Sequence, residues 1–150
     1  MFSRNSHMFF ANEQELVRSF LSCLNVNGWP GCAVQAATEF YYQRGRTDVV
    51  AYGEDESLIA VEAKLEDWRT ALHQAFRNRC FAHRSYVLLP KNTALRAYRY
   101  SGEFDRRLVG ICYVDAGDIV VLHQCIKSEP LQPSLTLRAK LHIQLSGATA

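Results

Sequence analysis

Four apolar residues, Leu58, Ile59, Ala60 and Val61, run directly into Glu62-Ala63-Lys64, so a segment that reads as a buried strand ends in two charges. Side chains two apart on a strand leave the same face, and a rise of about 3.3 Å per residue sets Glu62 and Lys64 roughly 6.6 Å apart. Charges at the end of so apolar a strand are costly to bury unless they are paired with each other or with a metal. The preceding apolar run supplies a partner. Asp48 stands near its start, where an antiparallel neighbour can bring the carboxylate beside Glu62.

The pattern around these residues predicts one α/β domain with a mixed sheet. Asn12 caps a helix with Glu15 three residues on, and Leu16, Val17, Phe20, Leu21 and Leu24 recur at helical spacing before Gly28 and Pro30 stop it. Ala33 to Gln43, Arg46 to Tyr52 and Leu58 to Lys64 read as a three-stranded meander, broken at Gly45 and at the acidic turn Gly53 to Glu56. Asp67 caps a second helix, running to about His83, with Trp68, Ala71, Leu72, Ala75 and Phe76 as its buried stripe. Ser85 to Leu89, closed by Pro90, is a short strand that a crossover returns parallel to the sheet. Asn92 to Tyr100 is a shorter basic helix, and Leu108 to Val114 with Ile119 to His123 make a closing hairpin. Pro130 and Pro133 mark a loop, after which Leu135 to Leu145 alternates like an edge strand. The expected order is αβββαβ followed by an αββ extension. In domain terms, residues 1–11 are a flexible leader, 12–125 the domain and 126–150 a C-terminal extension of loop plus edge strand.

Composition excludes more than it identifies. With 150 residues, nearly half of them apolar, the chain suits a single core of ordinary size. A net charge of +2 is too small to mark a nucleic-acid binder by itself, so any such role must be argued from the site. The five cysteines, Cys23, Cys32, Cys80, Cys112 and Cys125, are odd in number and contain no CxxC pair, which reads as buried reduced thiols in a cytoplasmic protein. The five histidines are equally scattered, giving no zinc-ligand spacing. The first ten residues lack the apolar core of a secretory signal, and no apolar run is long enough to span a bilayer.

Two carboxylates and a lysine at one sheet edge have a definite chemical use. The carboxylates are hard oxygen ligands for Mg²⁺ or Mn²⁺, and the lysine can orient an attacking water or stabilise charge developing on phosphate oxygens. Arg46-Thr47-Asp48-Val49-Val50, Val61-Glu62-Ala63-Lys64 and Gln74 in the following helix resemble the PD-(D/E)xK nuclease superfamily of restriction-endonuclease-like and Holliday-junction-resolvase-like proteins. The resemblance covers Asn12 to Pro90 and extends more loosely to His123. It implies a restriction-endonuclease-like core, metal binding by Asp48 and Glu62, and assistance of water attack by Lys64. Thr47 departs from the pattern, standing where the eponymous proline would be.

The resemblance also implies a metal-reaching glutamate on the first helix. At about 100° per residue, Glu13 points with Leu16, Val17, Phe20 and Leu24, whereas Glu15 faces away, so Glu13 is the candidate. Acids in a first turn also favour the helix dipole, and Glu39 in the first strand is a third candidate whose face depends on register. Gln74 is placed to bind water or a phosphate, or simply to flank the core. Arg46 adjoins Asp48, while Arg69, His73 and Arg77 repeat every four residues on the face of the second helix opposite its stripe, as phosphate contacts or as a solvated face. The expected partner is nucleic acid, DNA before RNA, with the protein acting as a homodimer or within a larger nuclease assembly. The competing expectation is a catalytically silent module on the same fold, because fold does not settle function.

Overall fold

The computed structural model describes residues 9–29 and 34–146, and its first elements follow from local signals. Asn12 accepts the Glu15 N–H at 2.9 Å and opens α1 (Glu13–Asn27), and the Glu15 carboxylate reaches back to the Ala11 N–H at 3.0 Å. Gly28, at a φ of 70°, ends the helix and donates its N–H to Leu24. The expected leader up to residue 8, together with Pro30 and Cys32, lies outside the described residues.

The meander forms with nearly the expected bounds: β1 (Val34–Tyr42), β2 (Gly45–Gly53) and β3 (Leu58–Ala63) pair antiparallel in sequence. Asp67 caps α2 (Trp68–Asn78) by accepting from the Thr70 N–H, and α2 carries the chain over to β4 (Arg84–Leu88), parallel to β3. Two short helices, α3 (Lys91–Tyr98) and α4 (Ser101–Arg107), make a second crossover to β5 (Val109–Asp115), parallel to β4, and β6 (Asp118–His123) folds back antiparallel. The result is a six-stranded mixed sheet in the order β1-β2-β3-β4-β5-β6. One face packs on α1 through Leu16 and Phe20 against Val49, Val61 and Leu88. The other is covered by α2, α3 and α4, with Leu72, Val87, Phe104 and Ile111 in one cluster, and by a C-terminal helix over Phe40, Tyr42 and Phe81.

That last element corrects the sequence reading. Residues Pro133–Ser146 form a helix, α5, rather than an edge strand. Apolar residues stand at every odd position from Leu135 to Leu145, a spacing that mimics a strand. In the helix they divide into two rows: Leu135, Ala139 and Ile143 are buried against β1 and β2, while Leu137, Leu141 and Leu145 face solvent. Helix α5 therefore packs against the core through Leu135, Ala139 and Ile143. Two smaller corrections concern the middle of the chain. Helix α2 ends at Asn78 rather than near His83, and Phe76 is 44 % exposed rather than part of the stripe. The expected αββ extension contains the additional helix α4.

One irregularity positions the site. Ala36 and Ala51 face α1 and Ala37 and Val50 face the opposite side, yet Phe40 and Thr47 also lie on that opposite side. Alternation therefore resets in both strands between the pairs Thr38–Val49 and Phe40–Thr47, at Glu39 and Asp48. Glu39 carries the distortion as a non-glycine residue with φ 56°. Such backbone costs about 1–3 kcal/mol and collects at functional sites.

Candidate active site

Pairing between β2 and β3 ends at Val49 and Val61, so the strands part at the next position, where Asp48 and Glu62 stand. In place of a backbone acceptor, Asp48 Oδ2 takes the Ala63 N–H at 2.8 Å, and its Oδ1 accepts from Arg46 Nη2 at 3.0 Å. The side chain thus lies along the sheet rather than above it, with 17 % of its surface still open.

Glu62 is the opposite case, only 2 % exposed. Its Oε2 accepts from Asn78 Nδ2 at 2.7 Å. Burial, and then repulsion from the neighbouring Asp48 carboxylate, push the Glu62 carboxyl up to about 8, against the opposing pull of Asn78 and the Arg77 charge. A carboxyl held in that state near neutrality is unusual and marks a candidate functional site.

Lys64 leaves the sheet just past the end of β3, where its backbone N–H still donates to Leu88 at 3.2 Å. Its ammonium stands 3.9 Å from Glu13 Oε2, at the start of α1. Glu13 therefore turns toward the sheet while Glu15 is spent on the Ala11 N–H. A cleft of about 560 Å³ opens between α1 and the β1–β2 hairpin, lined by Glu13, Arg18, Thr38, Glu39, Arg46 and Asp48. Glu39 and Asp48 both line this cleft, which resolves the strand face of Glu39 in its favour.

The structure gathers Asp48, Glu62, Lys64, Glu13 and Arg46 at one end of the sheet and leaves other candidates aside. Arg69 is clasped by Glu103 at 2.7 Å and lies over the Trp68 ring, a contact between α2 and α4. Arg77 is half-buried, with its Nε shielded from solvent and its guanidinium against Gly45, so it does not belong to a solvated face. Gln74 is half-buried on α2, and the hydrogen bond to Glu62 comes from Asn78, one turn further on. Among the described residues no group of three or more His, Cys, Asp or Glu side chains is arranged to hold a metal ion.

Sequence reasoning gave Asn78 and Tyr42 no part in the site and met Thr47 only as a departure from the proline pattern. Asn78 Oδ1 accepts from the Tyr42 hydroxyl at 2.7 Å and from Thr47 Oγ1 at 2.9 Å. Burial raises the Tyr42 hydroxyl to about 12, so it remains a donor. A signal was present: Asn78 continues the buried stripe of Ala71, Leu72 and Ala75, and a polar residue on a buried stripe demands partners.

Cys23, Cys80, Cys112 and Cys125 are buried free thiols, and His83 Nδ1 accepts the Leu58 N–H at 2.9 Å. Among the described residues no helix is long and apolar enough to cross a membrane.

No protein-family model and no curated protein matches the chain. Among solved structures, a protein of unknown function from Silicibacter pomeroyi is similar over 94 % of this chain and 89 % of its own, with a TM-score of 0.65 at 17 % identity, a likeness of fold. SfsA of Pyrococcus furiosus, solved in complex with Ca²⁺, matches over 77 % of this chain and 62 % of its own, with a TM-score of 0.38 at 11 % identity, too remote to bear on function.

Proposed function

We propose that this chain is a Mg²⁺- or Mn²⁺-dependent nuclease that hydrolyses phosphodiester bonds in DNA. The observation that carries the reading is the pairing of a buried carboxyl, Glu62, with a second carboxylate, Asp48, where two strands part beside an open cleft. Two like charges in so small a space are unfavourable alone and are relieved by a cation.

The donor set fits a magnesium-type ion. Such ions take hard oxygens, commonly one or two protein carboxylates, and fill the remaining positions with water and substrate phosphate. Asp48 and Glu62 would be the carboxylates, with Glu13 at the cleft wall for a water-mediated contact. The bound ion would polarise the phosphate and lower the pKa of a water. Lys64, held near Glu13, orients the attacking water or stabilises charge on the phosphate oxygens, and Arg46 offers a cation to the backbone of the substrate.

A second reading has one observation in its favour. Both Asp48 oxygens already have protein partners, Arg46 and the Ala63 N–H, which suits a silent module on the same fold for nucleic-acid or protein binding. Plasmid nicking separates the two. With Mg²⁺ or Mn²⁺ the wild type should nick, and Glu62→Ala and Lys64→Ala should each lose activity by two or more orders of magnitude. If the wild type matches the variants on duplex, single-stranded and branched DNA, the nuclease reading is wrong and the silent module stands.

A further inference from the structure

We infer that Asn78 is a positioning residue for Glu62, locking one carboxylate oxygen so that the other is presented toward Asp48 and a shared cation. The inference rests on the nuclease reading and adds to it a residue that neither the sequence motif nor the cleft lining contains.

The geometry leaves the amide little choice. An amide oxygen has two acceptor sites, and at Asn78 both are filled by hydroxyl donors from different strands, Tyr42 of β1 and Thr47 of β2. With Oδ1 so occupied, Nδ2 faces β3 and donates to Glu62 Oε2 at 2.7 Å. With Glu62 ionised, as a cation requires, turning the amide over would set its oxygen against a carboxylate. Every member of the network is buried: Thr47 is 0 % exposed, Asn78 1 % and Glu62 2 %. An unpaired polar atom here costs about 1–3 kcal/mol, so the orientation is held firmly.

The consequence concerns Glu62 alone. A glutamate side chain carries three rotatable bonds, and a buried one without a fixed partner has several ways to point. Asn78 removes that freedom by fixing Oε2, while Asp48 lies within interaction range of the same carboxyl. Tyr42 and Thr47 act one step further out, by fixing the amide that fixes Glu62. Four elements, β1, β2, β3 and α2, thereby converge on one carboxylate.

Groups that orient a metal's ligands typically contribute about 10–100-fold to metal affinity. The test uses the full chain and Mn²⁺ alone, with free Mn²⁺ followed by electron paramagnetic resonance and thermal stability measured on the same samples. Asn78→Ala should weaken Mn²⁺ binding by about 10–100-fold. Tyr42→Phe and Thr47→Val, which each remove one hydroxyl, should weaken it by a smaller factor while leaving the fold intact. These two variants decide the matter if Asn78→Ala does not fold. Lowered thermal stability with unchanged Mn²⁺ affinity would mean a purely structural role and overturns the inference. Absence of Mn²⁺ binding by the wild type defeats the nuclease reading first and the positioning role with it, an outcome distinct from equal binding by wild type and variants.

Discussion

Asp48 and Ala63 meet where two neighbouring strands part: the Asp48 carboxylate accepts the Ala63 N–H at 2.8 Å, just beyond Val49 and Val61, the last regular pair of β2 and β3. A side chain has taken over the work of a backbone carbonyl. The strands can therefore separate without orphaning a buried donor, and the gap brings Asp48 against Glu62 instead of leaving the two on a continuous ladder. The reset at Glu39 and Asp48 is part of the same device, since it lets Thr47 face Asn78 while Val49 faces α1.

The strained carboxyl pair predicts a pH-dependent stability. Glu62 is raised from an ordinary value of 4.5 to about 8, so the folded chain binds this proton more tightly than the unfolded chain does. Its contribution is fully present below about pH 4.5 and is lost as pH rises through about 8. His83 works in the opposite direction, because burial lowers its pKa. The difference between wild type and Glu62→Gln isolates the glutamate. Urea unfolding with chelator present should show wild type losing a few kcal/mol relative to Glu62→Gln between about pH 5 and about pH 9. Parallel curves for the two proteins would refute the burial of this charge.

Helix α5 predicts a contrast between neighbouring rows of one helix. Ile143 is 2 % exposed against Phe40 and Phe81, whereas Leu141 is 52 % exposed. Ile143→Ala should cost about 2–4 kcal/mol and Leu141→Ala less than about 0.5 kcal/mol, measured by chemical denaturation. An edge strand would bury both side chains to the same degree, since they differ by two positions, so equal effects would contradict the helix.

The same residues explain what the sequence disclosed and what it hid. Asn12, Asp67 and the apolar runs of β2 to β4 carry local signals, caps and strand periodicity, and these elements began and paired within a residue or two of expectation, although α2 stops five residues short of His83. α5 was misread because its apolar residues satisfy a period of two and a helical stripe at once, and only the neighbouring sheet decides between them. The approach of the charged residues Asp48 and Glu62 was legible because charge at a buried strand end is anomalous. Asn78, Tyr42 and Thr47 were not, since their importance arises from a convergence of β1, β2 and α2 that no local window contains. Arg69 and Arg77 share a helical spacing, yet one is clasped by Glu103 and the other packs on Gly45, partners remote in sequence.

Metal binding should expel a proton. Without metal, Glu62 carries one over most of the range below about pH 8, and a cation requires the carboxylate form. Each metal ion bound near pH 7 should therefore release close to one proton, seen as a binding enthalpy that varies with the ionisation enthalpy of the buffer. Affinity for Mn²⁺ should rise about tenfold per pH unit up to about pH 8 and level off above it, following the deprotonation of a single group. In Asp48→Asn the repulsion at Glu62 is removed, so the levelling point moves to lower pH even as affinity falls with the lost ligand. A Mn²⁺ affinity that is flat between about pH 6 and about pH 8 would show that Glu62 is not the group the cation meets.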